Sequence, residues 1–225
     1  MNTAKSTGPA LLLVDFQKGF DNIEYWGGHR NNPNAEENAN ELLELWRENG
    51  LPVFHIKHCS SNPASPLNET DAGNQFKDSL KPMSYEHVIK KNVHSVFIGT
   101  NLKELLHGLR ITKLVMIGLT TDHCISTSAR MAENFGFDTF IVSDATATFN
   151  KKGLQGQIYP AELIHDTALA SLNKEFATIV STDFLKWRVS LRDLDFGMPA
   201  PTAIVKNKEW VADALSIQQS KLLAS

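Results

Sequence analysis

Between residues 10 and 182 short apolar runs alternate with segments whose apolar residues recur at helical spacing, and this alternation constrains the fold more than any other feature of the chain. The first run, "ALLLV" (10–14), has no polar residue on either face. Such a strand must be buried on both sides, as happens in a parallel sheet between two helical layers. "LPVFHIKH", "YEHVIKK", "KLVMIGL", "FDTFIVSDA" and "ATIVST" read as five further strands. Between them, "NNPNAEENANELLELWRENG" places Leu42, Leu45, Trp46 and Asn49 at helical spacing, with Pro33 at an early helix position and Gly50 at the C-terminal cap. "TNLKELLHGLR" reads as a helix capped by Thr100, "DHCISTSARMAENFG" as one closed by Gly136, and "PAELIHDTALASLNKEF" as another. "CSSNPASPLNETDAGNQF" is too rich in Ser, Asn, Pro and Gly for either element and reads as a long, functional loop. The expected fold is α/β: a three-layer α/β/α domain over residues 9–182 with a six-stranded, mostly parallel, doubly wound sheet. Residues 183–225, with the amphipathic "KEWVADALSIQQSKLL", form a C-terminal extension expected to pack on the body or on a partner subunit.

With 225 residues, 42% of them hydrophobic, the chain can bury one sizeable core. Its 22 basic and 25 acidic residues leave a net charge of -3 without a block of like charge. Neither a nucleic-acid nor a membrane partner is expected. The run Ala10 to Val14 ends at Asp15, too short for a signal-peptide core or a membrane span, so a cytoplasmic protein is expected. Cys59 and Cys124 cannot build a disulfide framework; in a reducing compartment each is a packed residue or a reactive thiol.

Ligands of open parallel sheets bind beyond the carboxyl ends of the strands. The strands here end in Asp15, in Lys90 and Lys91, in the run Thr120, Thr121, Asp122, His123, Cys124, and in Asp144. An acid, a lysine and a cysteine can therefore meet at one edge. A thiol in the first turn of a helix, beside an ammonium, is set up for attack on a carbonyl. A carboxylate can take its proton and return it to a leaving amine. A nucleotide-binding reading needs a glycine-rich turn after the first strand, and "DFQKGFDN" has only Gly19.

Three segments, "LLLVDFQKGF", "VIKKNVHSVFIGTNL" and "LVMIGLTTDHCISTSARMAENFGFDTFIVSDATATF", resemble the signature segments of the isochorismatase-like cysteine hydrolases. The resemblance runs from residue 9 to about 182 and sits closest to metal-free amidohydrolases of the streptothricin hydrolase and N-carbamoylsarcosine amidohydrolase types. It implies a catalytic Asp15, Lys91 and Cys124. Lys91 rather than Lys90 is the match, because it stands four positions before Ser95. It further implies a cis peptide between Leu119 and Thr120 and an oxyanion hole from the backbone N–H groups of Thr120 and Cys124. Asp122 then becomes a helix cap.

Nicotinamidases of that superfamily hold a metal with an Asp-x-His pair and a further histidine. "FHIKHCSS" keeps His55 and His58 but lacks the aspartate, so neither a metal nor another cofactor is expected. His55 reads as a strand histidine. Phe20, Trp26, His58, His94, Phe97, His123 and Phe149 are candidates for the pocket, "EYWGGHRNNP" for its rim, and Arg30 for an anion anchor. The expected activity is hydrolysis of a C–N bond in a small amide, ureide or lactam through a thioester. Isochorismatase-type vinyl ether cleavage, nicotinamidase activity and a non-catalytic binding role are the alternatives. The superfamily's habit implies a homo-oligomer, a dimer or tetramer.

Overall fold

Chain order in the computed structural model, which describes residues 8–194, begins with β1 (Ala10–Val14), the short α1 (Ile23–Trp26) and α2 (Ala35–Glu48). It continues through β2 (Val53–His58), β3 (His87–Lys91), α3 (Leu102–Gly108), β4 (Lys113–Leu119), α4 (Ser126–Asn134) and β5 (Asp138–Ala147). A two-stranded hairpin, β6 (Lys151–Lys152) and β7 (Ile158–Tyr159), leads into α5 (Ala161–Leu172), β8 (Thr178–Val180) and α6 (Thr182–Ser190). The main sheet has six strands in the order β3-β2-β1-β4-β5-β8, and every neighbouring pair is parallel. From β1 the chain moves outward to β2 and β3, then returns to the other side of β1 for β4. The topological switch point, where such sheets bind ligands, thus lies between the carboxyl ends of β1 and β4.

β1 is buried along its whole length, as its unbroken apolarity requires. Ala10, Leu12 and Val14 join Phe54, Ile56, Leu114, Met116 and Ile141 under α3, α4 and α5, which contribute Leu106, Ala129, Ala132 and Leu169. Leu11 and Leu13 point to the opposite face, where α2 packs with Leu42, Leu43 and Trp46 fully buried. The Trp46 indole donates to the Pro9 carbonyl (3.0 Å), so the largest side chain of this layer also meets its polar requirement. Glu36 and Glu37 in the first turn of α2 and Arg47 in its last complement the helix dipole, and Gly50, at φ +62°, ends it. Pro33 precedes the helix rather than entering it. α6 packs beside α2, with Leu185 and Val189 buried. The amphipathic segment expected further along lies outside the described residues. Among those residues no helix is long and apolar enough to cross a membrane.

Three local readings change. The helix expected from Asp122 begins as a single π turn, Thr121–Ile125, because the Ile125 N–H reaches back to the Thr120 carbonyl, and α4 starts only at Ser126. Asn101 occupies the cap position of α3 without a side-chain bond; Thr100, one residue earlier, accepts from the Leu102 N–H (3.4 Å) and donates to the Val96 carbonyl (2.7 Å). The hairpin β6–β7 has two residues per strand, too few to show a period. The long loop 59–86 is pinned from within. Asn74 donates to the carbonyls of Leu67 (2.7 Å) and His58 (2.9 Å), and Gln17 accepts from the His58 N–H (2.8 Å) and donates to the Asn74 carbonyl (2.9 Å).

At the switch point Gly118 has φ +133°, and a Cβ there would lie 1.9 Å from the Val14 carbonyl oxygen. Here β1 and β4 approach closely, just before their functional ends. Gly118→Ala is expected to cost about 3 kcal/mol or more and to lower the melting temperature by roughly 6–12 °C. Gly50→Ala, also at positive φ but with open space around it, should stay within about 1 kcal/mol. Comparable melting temperatures for the two variants would refute this account.

Candidate active site

Asp15 follows the last residue of β1 and turns the chain with φ +58°, a left-handed conformation that aspartate tolerates better than most residues. Its side chain is fully buried. On β3, alternation separates two adjacent lysines. Lys90 points to solvent and pairs with Glu69 (2.7 Å), while Lys91 points inward and is buried. The Lys91 ammonium donates to Asp15 Oδ2 (2.7 Å), to His58 Nδ1 (3.0 Å) and to Cys124 Sγ (3.4 Å). All three of its protons are thereby used, and His58 must be the neutral tautomer protonated on Nε2. Cys124 sits in the π turn, 6% exposed, with its sulfur 3.6 Å from His94 Nδ1. The Leu119–Thr120 peptide preceding that turn is cis.

The charges of this cluster are set by burial and by each other. Burial opposes the Lys91 ammonium, but the neighbouring Asp15 and Cys124 outweigh it and hold its pKa above the ordinary lysine value. Burial is also the main cause that pushes the Cys124 thiol far up; Asp15 adds to the shift, and Lys91 only partly offsets it. The resting state is therefore a thiol beside an aspartate–lysine ion pair, not a preformed thiolate. Burial, with the ammonium next to it, lowers the pKa of His58, so its imidazole is neutral.

A cavity of about 210 Å³ opens onto this cluster. Asp15, Thr120 and Cys124 form its floor, Phe20, Tyr25 and Trp26 one wall, and His58, His94 and His123 line it as well. Of the pocket candidates in the sequence, Phe20, Trp26, His58, His94 and His123 thus reach the cavity. Phe97 does not: it is buried beneath α3 and stacks on Phe137. Phe149 is fully buried behind the wall, stacked on Phe20 and Trp26 at 6.2 Å. Tyr25 lines the cavity from the "EYWGGHRNNP" rim segment, and the loop residues Ser60, Asn62, Ser65 and Leu67 line it without having been singled out individually in the sequence. Their only signal was the length of the loop. The contact of His58 with Lys91 was equally hidden, since it depends on the register that sets β2 His58 beside β3 Lys91.

Other candidates are engaged elsewhere. Arg30 is clamped by Glu36. His55 lies on the α2 side of the sheet and bonds Glu86 (2.9 Å), which also binds Arg47. Asp122 does not cap the helix. It accepts from the Thr148 hydroxyl and faces Lys151 and His123 (both 3.3 Å), tying the π turn to the exit of β5. Carboxylate, imidazole and sulfur atoms of Asp15, His58 and Cys124 lie within 4.8 Å of one another, the spacing of a metal-binding trio. The Lys91 ammonium, bonded to all three, already supplies the cation at their centre.

The Isochorismatase domain family matches residues 9–184. YrdC of Bacillus subtilis, an uncharacterized isochorismatase family protein, is 49% identical over 176 residues, covering 78% of this chain and 93% of that protein. Maleamate amidohydrolase of Pseudomonas putida is 31% identical over 153 residues, 60% of this chain and 70% of that enzyme. The crystal structure of an isochorismatase-family protein from Chromobacterium violaceum superposes with a TM-score of 0.78 at 35% identity, over 85% of this chain and 96% of that one. Sheet order, the strand-end cluster and these likenesses agree, and the chain belongs to the isochorismatase family of hydrolases.

Proposed function

We propose that this cysteine hydrolase cleaves the C–N bond of a small amide, ureide or lactam through a thioester. The observation that carries the reading is the single ammonium of Lys91 touching both the Asp15 carboxylate and the Cys124 sulfur at the floor of a cavity. In the first step the thiol proton passes to Asp15 as sulfur bonds to the carbonyl carbon. The oxyanion so formed is received by backbone N–H groups of Thr120 and Cys124. Asp15 then gives its proton to the departing nitrogen, which leaves as amine or ammonia, and a thioester remains. Water, deprotonated by Asp15, attacks the thioester; the acid departs and the sulfur recovers its proton.

A buried thiol next to a carboxylate suits acyl transfer, whereas cleavage of a vinyl ether calls for protonation of carbon and has no use for the sulfur. Nicotinamidase chemistry of the metal-assisted type is not favoured, because the matching segment lacks the aspartate of the metal-binding pair and His55 is engaged by Glu86 on the α2 side of the sheet. A purely binding role is not favoured either, since nucleophile, base and cation are all kept. The two free thiols suit a reducing, cytoplasmic setting. Assembly as a homo-oligomer is part of the same reading, and sedimentation of the purified protein tests it.

Release of ammonia or amine from a panel of amides, ureides and lactams tests the activity. Cys124→Ala should reduce turnover by about a thousandfold or more while leaving the melting temperature within a few degrees. Retained activity in Cys124→Ala removes the proposal. Asp15→Asn should lose activity to a similar degree and, by stranding the Lys91 ammonium, also lower stability by about 3–5 kcal/mol. The upward shift of the thiol pKa gives a further expectation: thiolate forms only as pH rises well beyond the ordinary cysteine value. Thiolate absorbance near about 240 nm, taken as wild type minus Cys124→Ala, should therefore stay flat between about pH 6 and pH 9. A thiolate difference already present at about pH 6, or a step below about pH 8, would indicate a preformed thiolate and contradict the proton transfer described above.

A further inference from the structure

We infer that the site takes an uncharged, flat amide of about one ring, laid against Trp26 and Phe20, and rejects amides that carry a carboxylate. This deepens the reading of the site as an amide hydrolase and rests on it. Among the described residues lining the cavity there is no lysine and no arginine. Lys91 lies below the floor with its side chain wholly shielded from solvent and its three protons spent. Lys18, the basic residue closest in sequence to the aromatic wall, pairs with Asp78 (3.0 Å), and Arg30 is occupied by Glu36. Lys151, near the His123 rim, faces Asp122. His58 and His123 are both held neutral, chiefly by burial. The floor does hold one carboxylate, Asp15, and its charge is matched by Lys91 alone. A second carboxylate brought in by a substrate would enter a half-enclosed, low-dielectric space beside Asp15 without a counter-charge, and that is heavily penalised.

The positive side of the selection comes from shape. Phe20 and Trp26 stack with ring centroids 4.6 Å apart and 27° between planes, and Phe149 lies behind both. The Trp26 indole N–H is fixed on the Gly19 carbonyl (2.9 Å), so the wall is rigid and presents ring faces. Offset stacking on such a wall favours a planar, apolar body by about 0.5–1.5 kcal/mol per ring pair. Ser60, Asn62 and Ser65 supply neutral hydrogen-bonding groups at the loop side. A volume of about 210 Å³ is below that of sites for drug-sized ligands, which fits a single ring with its amide.

Calorimetric titration of Cys124→Ala, which cannot turn substrate over, with benzamide and with its para-carboxylate terephthalamate tests this directly. Benzamide is expected to bind at least about tenfold more tightly than terephthalamate. Trp26→Ala in the same background should weaken benzamide about tenfold. Asn62→Arg, which brings a cation to the loop side, should narrow or invert the preference. Equal or tighter binding of terephthalamate, or binding of neither compound up to about 10 mM, overturns the inference. If benzamide binds with the expected preference and wild type hydrolyses neither, the inference stands and the failure belongs to the proposed C–N cleavage alone.

Discussion

The Lys91 ammonium is the interaction on which the site depends. Neighbouring strands of a sheet stand about 4.8 Å apart, so β3 and β1, separated by β2, are nearly 10 Å apart. Only a long side chain can bring a cation from one to the other. Lys91 does so by passing His58, its register partner on β2, and His58 fits because its imidazole is neutral and offers Nδ1 as an acceptor. A charge in that place is expensive unless every donor is matched. The carboxylate of β1, the imidazole of β2 and the sulfur that follows β4 provide the three matches. The sheet order and the site are thus one constraint: four adjacent strands must end at the same level for one ammonium to be satisfied.

This explains which parts were readable before the fold was known. The unbroken apolarity of "ALLLV" required a doubly covered strand, and the strand–helix alternation required a parallel sheet. Asp15 stood out because it ends the first predicted strand, and Cys124 because it is one of two cysteines and lies in the polar run that follows the fourth. Choosing Lys91 over Lys90 needed the resemblance, although strand alternation agrees, since Lys91 shares its face with buried Ile89. The π turn escaped because its wider hydrogen bond, Ile125 to Thr120, leaves the sequence period of a short segment unchanged. Phe97 and Phe149 were misplaced because aromatic residues near a site serve its second layer as well as its wall, and burial depth is not written in spacing. The lining residues of the 59–86 loop were invisible for a different reason. Gln17 and Asn74 fix that loop through bonds to backbone atoms, which any sequence offers equally.

The same ammonium bears on how the reaction can proceed at buried groups. At rest the cluster holds one negative charge on Asp15, one positive charge on Lys91 and a neutral thiol. In the proposed first step the proton moves from sulfur to Asp15 while negative charge appears on sulfur and then on the substrate oxygen. The number of charges is unchanged; the negative one moves a few ångströms and stays near the same cation. Creating a free thiolate beside an ionised Asp15 would instead add a charge, and burial together with Asp15 is what drives the thiol pKa upward. Reaction by charge relocation rather than charge creation keeps the desolvation penalty nearly constant along the path. It holds only while the substrate itself is neutral, because one cation cannot balance two carboxylates in the same cavity.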